Sequence, residues 1–328
     1  MKWAGRGSGI LLGVAMVALA AGAAHAAEMK KVAISTVVEV PQLVDTKNGV
    51  VKGLAEKGFV VGKNLEIDYQ TANGNMATQQ QIARKFVGEG EDVIVPITTA
   101  TSQAVATATK TIPIVFATVA DPVKARLIKA YAPTGTNITG VSDEPPVLEQ
   151  LKLIRELVPN VKKVGFIYNP GLDSALAALK WVRDAGETLG IEVVTAPSPT
   201  TNEVIPAARK LVGNVDAIYV PNDTTVTEAL ESIVKIGRDT RTPVFTGEPS
   251  GVKRGAVAAL GLDYIEVGKL AGHMVADILN GRKPGDIAPI IAYKNMAKLL
   301  LVVNEKSAAA MGVTIPPDVL ARAAQIIK

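Results

Sequence analysis

Apolar residues along this chain fall into short continuous runs separated by stripes at helical spacing, and the runs occur twice in the same order. Lys30-Lys31 lead into Val32-Ala33-Ile34, and about 130 residues later Lys162-Lys163 lead into Val164-Gly165-Phe166-Ile167. Asp92-Val93-Ile94-Val95-Pro96 returns as Asp216-Ala217-Ile218-Tyr219-Val220-Pro221, each followed by a Thr-rich turn. Thr111-Ile112-Pro113-Ile114-Val115-Phe116 returns as Arg241-Thr242-Pro243-Val244-Phe245. Between the runs, residues 48–57 place Val50, Val51, Leu54 and Ala55 on one side with Lys52, Glu56 and Lys57 outside, which predicts a helix stopped at Gly58. Leu65, Ile67 and Tyr69 alternate as a strand, and Ile82 and Phe86 lie one helical turn apart.

The second copy has the same grammar. A helix is predicted over 174–189 with Gly190 as its stop, a strand over 191–195 and a helix over 204–212. The Ala217 strand follows, then a helix carrying Ala229, Leu230, Ile233, Val234 and Ile236, and a strand at Val244-Phe245. Residues 256–260 read as another strand, 265–279 as the last long helix, ending at Asn280-Gly281, and 299–303 as a late strand. Strands alternating with helices, without tight hairpin signals, require crossover connections, so each sheet is expected to be mostly parallel and covered on both faces. The fold class expected is α/β, with two doubly wound parallel-sheet lobes joined by a hinge of several crossings. Lobe one takes residues 27–141 and 264–285, and lobe two takes 142–263 and 286–328. Crossings are expected near Thr139-Gly140-Val141-Ser142, near Asp263 and between Pro284 and Pro289. Such a hinge permits closure while resisting splaying.

Composition narrows the setting. Residues 1–26 carry Lys2 and Arg6, an apolar run over 10–24 and the small-residue triplet Ala24-His25-Ala26, the three parts of a cleavable export signal expected to leave Ala27 as the new N-terminus; the alternative is an uncleaved membrane anchor. The chain has no cysteine, which excludes disulfides, thiolate metal sites and the acylated cysteine of a lipoprotein. A free protein of a Gram-negative periplasm is therefore expected. The formal charge is +4, or +2 once Lys2 and Arg6 leave with the signal, and it is interspersed, giving no electrostatic footprint for nucleic acid or a membrane surface.

Ligands of parallel α/β sheets bind beyond the carboxyl ends of the strands, so the turns there hold the candidate chemistry. The first copy offers Glu39, Pro41 and Gln42, the hydroxyls of Thr98, Thr99, Thr101 and Ser102 ahead of a helix, and Asp121. The second offers Tyr168 and Asn169, then Asn222, Asp223 and Thr224, then Thr246 and Glu248. Ser142 and Asp263, at the expected crossings, complete the set. The 98–102 turn has hydroxyls and free N–H groups for a carboxylate, or serves as an ordinary helix cap. Asp223 and Glu248 could accept from a ligand ammonium, and Asp223 could instead cap the helix that follows. Val38, Val40, Pro41 and Leu43 could form an apolar wall or pack a helix on its sheet. His273 lies within the 265–279 helix and reads as a helix-surface or packing residue ahead of a metal ligand. The adjacent carboxylates Asp143 and Glu144 read as solvated neighbours.

Catalytic patterns are missing. One mature histidine and no cysteine give a Ser-His-Asp or Cys-His nucleophile little to work with. Gly5, Gly7 and Gly9 fall in the signal, and Gly62-Lys63-Asn64 lacks the spacing and hydroxyl of a phosphate loop. No enzyme, metal or cofactor is expected.

Several motifs taken together resemble one ABC-transporter substrate-binding family, associated with tryptophan, tyrosine or phenylalanine uptake. They are Ile112-Pro113-Ile114-Val115-Phe116, Asp121-Pro122-Val123, Asn137-Ile138-Thr139-Gly140-Val141-Ser142-Asp143, Tyr168-Asn169-Pro170, Asp216-Ala217-Ile218-Tyr219-Val220-Pro221-Asn222-Asp223 and Gly261-Leu262-Asp263-Tyr264. The resemblance covers the mature chain and implies a type I periplasmic-binding fold. It also implies that Asp223 takes the ligand's amino group, and that the 98–102 turn with Asn169 takes its carboxylate. Family members often carry a His-Pro-Ala-Leu-Asp-like stretch where this chain has Val40-Pro41-Gln42-Leu43-Val44-Asp45, so Gln42 is expected to narrow or polarise the side-chain pocket. The function expected is capture of a small zwitterionic ligand, an amino acid with an aromatic or large apolar side chain, by a monomer that delivers it to an inner-membrane permease. Sugar sites favour aromatic platforms, and these turns offer few aromatics. The alternative is an exported sensor that signals to a membrane kinase or chemoreceptor.

Overall fold

Each half of the chain supplies one sheet. A computed structural model describes residues 29–328, so the expected export signal and Ala27 lie outside the described residues. The first half runs β1 (Lys30–Thr36), α1 (Pro41–Glu56), β2 (Leu65–Thr71), α2 (Met76–Glu89), β3 (Val93–Ile97), α3 (Thr99–Ala108), β4 (Ile114–Ala117) and β5 (Ile138–Ser142). The second runs α4 (Val147–Leu157), β6 (Lys163–Tyr168), α5 (Asp173–Leu189), β7 (Glu192–Pro197), α6 (Thr201–Leu211) and β8 (Ala217–Val220). It continues through α7 (Thr224–Glu228), α8 (Leu230–Thr240), β9 (Val244–Thr246), α9 (Ser250–Lys253) and β10 (Ala258–Gly261). The chain then returns to the first lobe with α10 (Tyr264–Leu279) and β11 (Ile290–Ile291). It ends in the second with β12 (Leu300–Asn304), α11 (Glu305–Ala310), α12 (Pro317–Arg322) and β13 (Gln325–Ile327).

The duplication is real at the level of topology. The six-stranded sheet has the order β2-β1-β3-β4-β5-β11, and the seven-stranded sheet has the order β7-β6-β8-β9-β10-β12-β13. The first five strands of each are therefore arranged alike, and all pair in parallel. Even the strand-end contacts repeat: Asp92 Oδ2 accepts from the Lys31 N–H at 2.8 Å, and Asp216 Oδ2 accepts from the Lys162 and Lys163 N–H groups at 2.8 Å. Among the described residues the one antiparallel pairing, β10 with β12, follows from the late return of the chain.

Burial of both sheet faces explains the continuous apolar runs. In β1, β3 and β4, Val32, Ile34, Val93, Val95, Ile97, Val115 and Ala117 join the core under α1 and α10, whereas Ala33, Ile94, Ile114 and Phe116 join the core on the other side. Local signals end the helices where expected: Asn75 caps α2 by accepting from the Ala77 and Thr78 N–H groups, and Gly90 closes it in the left-handed region. α1 starts seven residues earlier than the periodicity predicts, because Pro41 occupies its first turn, where a missing N–H costs nothing.

Two boundaries differ from expectation. Residues 138–142 form the fifth parallel strand of the first lobe, and the chain crosses only after Ser142. β11 pairs in parallel with β5, so the third crossing follows Ile291, although the sequence division assigned residues from 286 onward to the second lobe. A two-residue strand carries too little alternation to be read from sequence.

Candidate functional site

The carboxyl ends of β1, β3 and β4 face those of β6, β8 and β9 across the interlobe cleft, and two neighbouring cavities open there. The larger, about 550 Å³, lies between Thr99, Gln103 and Asp121 of lobe one and Trp181, Tyr219 and Asn222 of lobe two, with Asp143 and Pro145 from the first crossing. The smaller, about 320 Å³, has Gln42, Thr118 and Tyr264 on one side and Thr224, Thr246, Glu248 and Arg254 on the other. Pro221 and Asn222 border both.

One helix explains the apolar wall of the larger cavity. In α5, Ala175, Leu179, Val182 and Ala185 are buried beneath the helix, while Ser174, Ala177, Ala178 and Trp181 form a second stripe at i, i+3, i+4 and i+7 that lines the cavity. Tyr219 stands on β8 with its hydroxyl donating to Gln150 Oε1 at 2.6 Å, and the Gln150 amide donates to the Gly247 and Leu260 carbonyls at 3.1 and 2.8 Å. That buried network fixes the floor.

Backbone strain also gathers here. Thr98 has φ 92° and Thr118 has φ 55°, conformations uncommon for β-branched residues, at the ends of β3 and β4. The Thr98 hydroxyl lies 3.0 Å from that of Thr101, and Ser102 donates to the Thr98 carbonyl at 2.7 Å. Thr101 and Ser102 are buried and spent inside the turn, so of the hydroxyls expected to receive a carboxylate only Thr99 lines the cavity.

The other candidate residues separate into two groups. Gln42, Asp121, Asn222, Thr224, Thr246 and Glu248 line a cavity. Glu39 is exposed and accepts from the Tyr69 hydroxyl at 3.0 Å, and Pro41 is exposed at the start of α1. Ser142 is buried, donating to the Ala120 carbonyl and accepting from the Glu144 N–H. Tyr168 stacks on Phe166 with ring centroids 5.9 Å apart, and Asn169 is taken up by Thr225 and Gly171. Asp263 caps α10 through the Ile265 and Glu266 N–H groups. Asp223 is 1% exposed, with Oδ1 on the Val226 N–H at 3.3 Å and Oδ2 on the Asn169 N–H at 2.6 Å. Its capping role is the one realised, and it lines neither cavity.

Asp143, read from the sequence as one of two solvated neighbours, is instead enclosed at the crossing. Burial, reinforced by the Glu248 carboxylate, pushes its carboxyl up to about 7, and burial also raises Glu144. Burial raises Glu248 as well, against hydrogen bonds from Asn222, Gln42 and Tyr264. The Asn222 amide reaches Glu248 Oε1 at 2.5 Å. Tyr264, at the start of α10, lies between Asp143 and Glu248, and burial holds its hydroxyl well above the ordinary tyrosine range. Gln42 and Tyr264 thus bring lobe one onto a lobe-two acid. Sequence reasoning missed Trp181, Tyr264 and Asp143. The α5 double stripe could have flagged Trp181, but nothing local marks Asp143, whose neighbours come from distant segments.

Among the described residues, the carboxylates of Asp68, Glu89 and Glu91 come within 4.8 Å of one another, far from the cleft at the edge strand β2. The Lys85 ammonium already bridges Asp68 and Glu89 at 2.5 and 3.3 Å. His273 meets Glu56 at 2.7 Å across α10 and α1, a packing contact as expected. No helix among the described residues is long and apolar enough to cross a membrane.

Comparison with known proteins shows the family. A family model described as ABC transporter substrate binding protein matches residues 31–327. The chain is similar to a protein of Clostridioides difficile named tyrosine-binding protein, with 35% identity over 87% of this chain and 81% of the relative. It is similar to a solved conserved domain protein of Vibrio cholerae, with 43% identity, a TM-score of 0.74 and coverage of 91% of this chain and 100% of the other. A solved ABC domain in complex with L-Trp from Streptococcus pneumoniae is 31% identical, with a TM-score of 0.74 and coverage of 92% and 100%.

Proposed function

Since the chain belongs to the ABC transporter substrate-binding protein family and has the type I periplasmic-binding fold, we propose that it captures one amino acid with an aromatic or large apolar side chain. The protein works in the periplasm as a monomer and hands the ligand, chemically unaltered, to an inner-membrane permease. The observation that carries this reading is the larger cavity, whose wall combines the carbon surface of Pro145, Val147, Ala177, Ala178 and Trp181 with a few polar groups from both lobes. An apolar cleft with sparse, placed polar groups suits a side chain that is large and apolar on a zwitterionic backbone. The tyrosine named for one relative and the L-Trp bound to another support the same class.

In this reading the ligand is bound without chemistry. Closure is a shift in population toward the form in which both walls touch the ligand, and the energy for it comes from contacts that only the closed form makes. Thr99 opens α3, where the backbone N–H groups and the helix dipole favour a ligand carboxylate, and Gln103 lines the same cavity one turn further along.

Native mass spectrometry of the mature protein, followed by thermal shifts over an amino-acid panel, tests the proposal. Tyrosine, tryptophan or phenylalanine at about 100 times its dissociation constant should stabilise by about 2.7 kcal/mol. Shifts from sugars or nucleosides, with none from aromatic amino acids, would overturn it. The mass of the ligand recovered after incubation must equal that supplied, and turnover would indicate an enzyme.

A further inference from the structure

Four acids stand at or beside the cleft, and their hydrogen bonds set one apart. Asp121 Oδ1 is occupied by the Val123 and Lys124 N–H groups at 3.1 and 2.8 Å. Both oxygens of Asp223 serve backbone N–H groups. Glu248 Oε1 accepts from the Asn222 amide at 2.5 Å. Asp143 differs: its Oδ1 is buried and has no hydrogen-bond partner. A buried acceptor left empty costs free energy, so it marks a place where a donor is missing.

The surroundings favour a cationic donor. The Tyr264 hydroxyl lies between Asp143 and Glu248, yet it carries a single proton and can serve at most one of them at a time. The two acids repel each other in an enclosed space, so without a further positive charge one of them must hold a proton. Asp143 also lines the same cavity as Trp181, which places a site for a cation beside an apolar wall.

We propose that Asp143 is the residue that recognises the ligand's ammonium group, so the cleft selects a primary amine carried next to a large apolar side chain. This assignment rests on the reading of the cleft as an amino-acid site and moves the amine from Asp223 to the first crossing between the lobes. When an ammonium arrives, the carboxyl of Asp143 loses its proton to solvent and the carboxylate accepts from the ammonium. The charge on the ligand replaces the charge of the released proton, and no bond in the ligand changes. Ser142, held between Ala120 and Glu144, fixes the backbone position of Asp143 on the pivot, so the contact forms where both lobes turn.

The test uses the mature protein and its D143N variant with L-tyrosine, L-tryptophan and L-phenylalanine, the matched acids lacking the amine (3-phenylpropionate and indole-3-propionate), and the matched amines lacking the carboxylate (tyramine and tryptamine). Isothermal titration should show the variant losing about 100-fold or more in affinity for the amino acids, within the range for removing one partner of a buried charge pair, while the deamino acids bind both proteins alike. In two buffers of different ionisation enthalpy at pH 7, the unmodified protein should release protons on binding, a readout that needs no variant. Amino acids bound equally by D143N, or bound without proton release, overturn the assignment and leave the amino-acid reading standing. Binding of tyramine but of no amino acid, lost in D143N, supports Asp143 and overturns the amino-acid reading. Binding only of ligands without an amine overturns both.

Discussion

Replacing Gly268 by alanine tests the geometry that brings lobe one to the cleft. α1 and α10 lie against each other at glycines, Gly49 and Gly53 on one and Gly268 and Gly272 on the other. A Cβ on Gly268 would stand 2.0 Å from the Thr46 carbonyl oxygen and 2.8 Å from Gly49 Cα. Both are backbone atoms that cannot rotate away, so the helices must part by roughly 1 Å to reach the shortest tolerated contact of 3.0 Å. Forcing extra volume into a packed core costs about 3 kcal/mol at the upper end of the usual range. Alanine returns about 1 kcal/mol of helix propensity over glycine. The net loss is about 2 kcal/mol, which lowers the melting temperature by roughly 4–8 °C in a chain of this size. Gly88, exposed in α2 with nothing within 4 Å of its Cβ position, is the control, and Gly88→Ala should stabilise by about 0.5 kcal/mol. Calorimetric melting of both variants reads the difference. A G268A protein that melts at or above the parent temperature would refute the close approach of α1 and α10, the two helices that carry Gln42 and Tyr264.

Trp181→Ala should weaken binding of aromatic amino acids by about 10- to 100-fold through loss of ring contact; unchanged affinity by titration would place the ligand ring elsewhere. The unliganded protein should lose stability as pH rises from about 4 to 7, because the Asp143 carboxyl, raised from 3.8 to about 7, keeps in the folded chain a proton that the unfolded chain releases. The loss is a few kcal/mol, roughly 4 at most, and D143N should remove most of it in urea titrations across that window; a parent protein that gains stability over this range would have the sign wrong. Asp223→Ala should destabilise by about 1–3 kcal/mol, since two backbone N–H groups lose their acceptor. Asp223→Asn keeps the cap and should leave ligand affinity within about threefold, whereas a loss near 100-fold would return the ammonium to Asp223.

Much of the architecture was legible because it rests on local rules. The repeated apolar runs predicted parallel strands covered on both faces, and Gly58 and Gly190 follow the ends of the helices they were expected to stop. The site was less legible. Thr101, Ser102, Asn169 and Asp223 have the right chemistry at strand ends, yet their own turn or the adjacent one absorbs it. Short polar side chains reach neighbouring backbone groups more readily than a distant ligand, and no spacing rule says which will prevail. β11 escaped notice because its partner, β5, lies about 150 residues earlier in the chain.

What the sequence alone determined is the doubled α/β plan and the end of each sheet at which a ligand would sit, since strand and helix periods and turn residues are properties of a few consecutive positions. Only the tertiary structure decided which acid keeps an unanswered oxygen. Asp143 takes its environment from Glu248 on one lobe and Tyr264 on the other, more than 100 positions away. Burial and charge coupling depend on distance in space, and the separation along the chain does not encode it.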